Sequence, residues 1–146
     1  MAIIDTNGYV LAPVPVAPVN ETDMVLLPDG LKALKRVAKE VGVDLRGAYL
    51  NLDGGFDSLA HRKCIFNMGL IPNIPENPRN RKHLKRGRKR LFNAAIHALR
   101  MRVERTFAWE DKFKRLLLRF ERIQQRHYGM KLRAYTLINL CKFCGT

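Results

Sequence analysis

The sequence predicts a mixed α/β fold that gives way to helices, and three observations carry that expectation. Short apolar runs and amphipathic stretches alternate in β-α-β-α-β order over residues 1–75. A dense basic run occupies residues 76–90. Over residues 91–146 the apolar residues recur only at helical spacing. A chain of 146 residues with 47% hydrophobic content has the material for one domain with a packed core.

Residues 2–19 read as β structure: Ile3 and Ile4, a Thr6-Asn7-Gly8 turn, Tyr9 to Leu11, then Val14 to Val19 interrupted by prolines. Pro13, Pro15 and Pro18 cannot donate to a ladder, so this strand is expected to be irregular or at an edge. Asp29-Gly30 introduces a helix to about Val41, with Leu31, Leu34, Val37 and Ala38 on one face and Lys32, Lys35, Arg36 and Lys39 on the other. Gly42 stops it. Ala48 to Leu52 forms a short strand, Asp57-Ser58 caps a helix running to Met68, and Gly69 leads into a second strand at Leu70 to Ile74. This order implies parallel pairing around residues 48–52. Further on, Phe92, Ala95, Ile96, Leu99, Val103 and Phe107 read as one helix, and Phe113, Leu116, Leu117, Phe120 and Ile123 as another. Gly129 marks a break before a last helix through Leu132, Tyr135 and Leu140.

The net charge of +14 and pI near 10.3 favour a polyanionic partner, because neutralising phosphates releases counterions. Nucleic acid is the first expectation and an anionic membrane surface the second. No apolar run is long enough to span a bilayer, and the opening MAIIDTNGYV lacks the pattern of a secretory leader, which points to the cytosol. Eight basic residues and no acidic one fall within residues 79–90: Arg79, Arg81, Lys82, Lys85, Arg86, Arg88, Lys89 and Arg90. A like-charge run of that density repels itself unless an anion is near, so phosphate contact is expected there, giving affinity rather than base specificity. Three cysteines, an odd number, argue against a disulfide framework. Cys141 and Cys144 have zinc-knuckle spacing, but with no second ligand pair they read as two half-buried thiols.

Two carboxylates stand out. Asp53 follows an apolar strand and precedes Gly54-Gly55, so it sits at a strand's C-terminal end, where open α/β sheets place their sites; Asp-Gly-Gly is also ordinary turn chemistry. Glu104 lies on a helix with Arg100 one turn earlier on the same face and His97 a turn before that, an arrangement equally suited to a surface ion pair. Together they gain interest, because phosphoryl transfer at paired metal ions needs acidic ligands brought from separate elements.

The segment Leu52-Asp53-Gly54-Gly55-Phe56-Asp57-Ser58 resembles the Asp-x-Gly-Tyr-Asp-Ser signature around the second catalytic Asp of bacterial insertion-sequence DDE transposases. The stretch from Arg100 through Glu104, Trp109 and Lys112 to Leu116 resembles that family's segment around its catalytic Glu, and Arg119-Phe120-Glu121-Arg122 continues the likeness over nearly the whole chain. The resemblance implies a ribonuclease-H-like catalytic domain with Asp53 and Glu104 as ligands of paired Mg2+ (or Mn2+) ions and Arg100 beside them. It also implies DNA as partner at the ends of an insertion sequence, a nucleoid-associated cytoplasmic setting, and a homodimer as the full-length enzyme. The family's Tyr-x2-Arg-x3-Glu-x6-Lys pattern maps onto Arg100 and Glu104, with His97 at the Tyr position and Asp111 at the Lys position; Lys112, a further DNA-contact candidate, is one residue beyond.

In this family the first Asp lies on the central strand, upstream of everything here, so the fold is expected to lack its first central strand. Asp5 belongs instead to a later hairpin. Removing a central strand exposes neighbouring edges, so the chain alone is expected to be unstable and inactive unless an upstream transposase segment completes it. Two origins fit: a relic, or the second product of a split reading frame. A small basic RNA-binding structural protein of ribosomal type is the alternative, with equally suitable size and charge.

Overall fold

The structure is a computed structural model that describes residues 2–11, 17, 20–77, 90–118 and 120–145. It is a mixed α/β arrangement, mostly helical, built on a small parallel sheet that has two strands among the described residues. Helix α1 spans Asp23–Glu40. Strand β1 (Tyr49–Asn51) leads through a 3-10 turn at Gly54–Phe56 into α2 (Leu59–Asn67), and β2 (Ile71–Asn73) returns parallel to β1. The strand, cap, helix and strand expected from the sequence are all formed. Ser58 caps α2, its hydroxyl accepting from the His61 N–H at 3.1 Å.

Helix α1 starts six residues before the expected Asp29. Pro28 looks like a helix start because it lacks an N–H, yet it lies inside the helix. The reason is Leu27, which is 1% exposed and extends the buried Leu31, Leu34 and Ala38 stripe by one turn. Burying a leucine contributes about 1.5–3 kcal/mol, which offsets the lost hydrogen bond. These leucines pack with Phe56, Ile65, Leu70 and Ile74 into the main core, and Leu50 of β1 packs against it. The register places Leu50 beside Pro72 and Asn51 beside Asn73. Since alternate strand residues face opposite sides, Asn51 and Asn73 point away from that core.

The N-terminal β region is a small hairpin, with Ile4 and Val10 as an antiparallel bridge. Gly8 turns it with a φ of 89°. Asp5 accepts there from the Asn7 and Tyr9 N–H groups at 2.9 and 2.7 Å, a turn role. Most of the remaining β structure expected over residues 14–19 lies outside the described residues.

The helical part differs from its sequence reading in three places. The stretch from Phe92 to Phe107 is two helices, α3 (Ala94–Ala98) and α4 (Met101–Asp111), joined where the N–H groups of Leu99, Arg100, Arg102 and Val103 bond three residues back instead of four. The helix expected from Phe113 to Ile123 is only the four-residue α5 (Lys114–Leu117). Leu116 is buried, but Leu117, Leu118, Phe120 and Ile123 are 46–68% exposed, so no packing sustains a longer helix. Gly129 breaks nothing: α6 runs through it from Gln124 to Cys144. Glycine weakens a helix but ends one only where the chain turns left-handed, as at Gly145 with a φ of 73°.

Helix α6 carries the second core through Tyr135 and Ile138, which pack with Val10 of the hairpin and with Phe113. Asn139 reaches the hairpin like a strand neighbour, accepting from the Val10 N–H at 2.9 Å and donating to its carbonyl at 3.1 Å. Cys141 and Cys144 lie on the last turns of α6, half-buried and exposed respectively. Among the described residues no helix is long and apolar enough to cross a membrane.

Candidate active site

Asp53 stands at the C-terminal end of β1 and caps the 3-10 turn, its Oδ1 accepting from the Gly55 N–H at 2.8 Å. Glycine leaves room for that bond, because a Cβ on residue 55 would lie 2.9 Å from the oxygen and displace the carboxylate. The second oxygen, Oδ2, lies 3.8 Å from Arg100 Nη2; both side chains are nearly half exposed, so this is a loose, solvated pair. Arg100 occupies the joint between α3 and α4, and exposed Glu104 follows in the first turn of α4, where a carboxylate favours the helix dipole. The two motifs, distant in sequence, therefore meet through Arg100 at the end of β1.

An amide network centred on buried Asn73 lies next to that meeting point. Asn73, 1% exposed, donates to Asn51 Oδ1 at 2.6 Å and to the Asn93 carbonyl at 3.0 Å, and accepts from the Asn93 N–H at 2.8 Å. Asn51 donates to the Ile96 carbonyl at 3.0 Å, and Asn93 caps α3 by accepting from the Ile96 N–H. The sheet face away from the main core thus grips α3, the helix that leads into Arg100. Sequence reasoning passed over these residues. Their signal was an Asn at the end of each of two apolar strands, a position where a buried amide needs partners.

Asp57, part of the expected helix cap and of the Leu52 to Ser58 signature, makes contacts that neither implies. Its side chain is 4% exposed, and it accepts from Arg62 Nε at 3.0 Å, from the Asn77 N–H at 3.0 Å, and from Arg90 Nη1. Arg62 also donates to the Ile74 carbonyl at 2.7 Å. Burial alone raises the Asp57 pKa, but the Asn77 N–H, the Arg62 hydrogen bond and the charges of Arg62 and Arg90 reverse this and hold the carboxyl below its ordinary range.

Of the expected phosphate-binding residues, Arg79, Arg81, Lys82, Lys85, Arg86, Arg88 and Lys89 lie outside the described residues. Arg90 is described and is paired with Asp57. Lys112 lies over the Trp109 ring at 3.8 Å, eight residues along α4 from Glu104 and so roughly 12 Å from it by helical rise. His97, half-buried on α3, tilts against Phe92 with ring centroids 5.2 Å apart. Asp53 and Glu104 offer the hard oxygen donors that Mg2+ or Mn2+ takes, so the donor set fits such an ion in kind. Among the described residues no three His, Cys, Asp or Glu side chains gather to hold one, so further oxygens would have to come from elsewhere.

Comparison with known proteins bears on the same residues. A relative from Burkholderia cepacia, named as a transposase for insertion sequence element IS402, is 29% identical over 143 residues, which cover 97% of this chain and 60% of the relative. The chain thus spans about three fifths of that protein's length. No solved structure matches. The family model described as the transposase DDE domain matches residues 1–137, so the chain that carries Asp53, Arg100 and Glu104 belongs to the transposase DDE domain family of bacterial insertion sequences.

Proposed function

We propose that the chain supplies the second and third acidic residues, Asp53 and Glu104, of a site that cleaves and joins DNA strands during transposition. The observation that carries this reading is the Arg100 to Asp53 contact of 3.8 Å, which draws the segment bearing Glu104 to the end of β1. A ribonuclease-H-like sheet is part of the proposal, supported by the parallel β1 and β2 pair and by an acidic residue at the strand end.

In this reading Asp53 and Glu104 hold Mg2+ or Mn2+, the first Asp comes from an upstream transposase segment, and the chain without it is inactive. The bound ions would supply activation of a water or 3′-hydroxyl and stabilisation of the leaving oxygen. This chain's own contribution is positional. Gly55 orients Asp53, Asn73 holds Asn93 at the start of α3, and the half-exposed Arg100 guanidinium pairs with Asp53 and offers a charge to a phosphate beside it. Arg79, Arg81, Lys82, Lys85, Arg86, Arg88 and Lys89 bind the DNA backbone, with Lys112 as an outlying contact. A homodimer holding two element ends completes the proposal. Nothing in the fold or in the family match favours the RNA-binding alternative.

The test is a strand-cleavage and strand-transfer assay with Mg2+ or Mn2+, on the chain alone and on the chain joined to the segment encoded upstream. Activity is expected only in the joined protein, and Asp53→Asn or Glu104→Gln should abolish it. A joined protein whose activity survives either substitution would overturn the assignment.

A further inference from the structure

Resting on the reading of the chain as part of a site that cleaves and joins DNA strands, we infer that Trp109 is a stacking platform for an unpaired DNA base, flanked by cations that take the neighbouring phosphates. Arg102, Arg105, Trp109 and Lys112 follow one another at spacings of three, four and three residues, which places them on one stripe of α4 and its C-cap. The helix packs onto the protein through its other side. There Thr106 is 0% exposed, and Glu110 accepts from the Tyr135 phenol of α6 at 2.6 Å and pairs with Lys131 at 3.0 Å. Trp109, the chain's one tryptophan, is 41% exposed, so its large ring is not committed to the core. Lys112 Nζ lies 3.8 Å from the centroid of that ring. Arg105 and Lys112 are exposed and Arg102 is half-buried, so cations border the indole from both ends of the stripe.

An exposed ammonium on an indole face is held only weakly. A phosphate attracts it more strongly, and its departure frees that face of the ring for a base. Every base has a π-face, so the platform accepts bases without regard to sequence. In a duplex those faces are already stacked on one another, so the occupant is an unpaired stretch of strand. Trp109 follows Glu104 by five residues, about 7.5 Å of helical rise. The base it takes therefore belongs to a nucleotide close to the phosphate at the proposed site.

The test titrates the full chain with a short single-stranded DNA and follows the emission of Trp109, which reports on this position alone because the chain has one tryptophan. The base-bearing strand should quench that emission. A strand of equal length made of abasic nucleotides carries the same phosphates and should bind without quenching. This comparison uses the wild-type chain, so it decides the matter even if a variant does not fold. Trp109→Ala should bind the base-bearing strand about tenfold more weakly and the abasic strand as before, and Trp109→Phe, which keeps a ring, should recover most of the loss. Lys112→Met should lower the slope of log K against log salt by about 0.7, the loss of one phosphate contact. A wild-type chain that binds neither single-stranded nor duplex DNA overturns the functional reading itself. Binding with Trp109 emission unchanged, equal quenching by the abasic strand or by a duplex, or undiminished affinity in Trp109→Ala overturns the platform alone.

Discussion

Replacing Asp57 with Asn tests how the buried ion cluster supports the fold. The side chains of Asp57 and Arg62 are 4% and 10% exposed, so the substitution leaves a guanidinium buried without its counter-charge, while Arg90 at 26% can turn toward water. Removing one partner of a buried pair costs about 3–5 kcal/mol. For a chain of this size that lowers Tm by roughly 10 °C or more. The effect should also depend on pH. The folded chain holds the Asp57 carboxyl below its ordinary value of 3.8, so it binds fewer protons there than the unfolded chain does. The stabilisation is complete above 3.8 and disappears as the pH falls through the lower folded-state value. Urea unfolding followed by circular dichroism near neutral pH should show the full difference between wild type and Asp57→Asn, and the two curves should converge in acid. A difference below about 1 kcal/mol near neutrality, or one that persists undiminished in acid, would refute this account of the cluster.

Three further outcomes follow from the packing. Asn73→Ala removes a side chain that is 1% exposed and strips partners from Asn51 and Asn93, and should lower stability by about 1–3 kcal/mol in denaturant titrations. Gly129→Ala should raise stability by about 0.5–1 kcal/mol, because the glycine is inside α6 and nothing lies within 4 Å of where a Cβ would go. Burial and the hydrogen bond to Glu110 push the Tyr135 phenol far above its ordinary value of 10.0, so ultraviolet titration should find one of the four tyrosines still protonated when the others ionise. Tyr135→Phe should remove that late group and cost about 1.5–3 kcal/mol.

What could be read from the sequence was local. The β1, α2, β2 unit was legible because each element is short, apolar and punctuated by Gly or Ser, and because its partners are near in sequence. The α1 start was hidden because Pro28 and Asp29-Gly30 imitate a helix entry, while Leu27 is drawn into the helix by a core that pairwise spacing does not reveal. The joint at Arg100 lies under an unbroken apolar pattern, so periodicity alone joined α3 to α4. The same limit applies to the site. Asp53 and Glu104 stand out as candidates from their motifs, whereas the contacts around Asp53 and Arg100 do not. Asp57 meets Asn77 and Arg90, and Asn73 meets Asn51 and Asn93, across separations of about twenty residues or more that only the folded chain closes.

The central claim is that Asp53 and Glu104 serve one metal site. Paramagnetic broadening of backbone amide signals by Mn2+, titrated into the isotope-labelled chain, tests it most directly. The account predicts that amides at residues 53–54 and at residues 103–105 broaden together at the same Mn2+ concentrations, and that Asp53→Asn removes both effects. Broadening confined to one of the two segments, or unchanged in the Asp53→Asn chain, would contradict it.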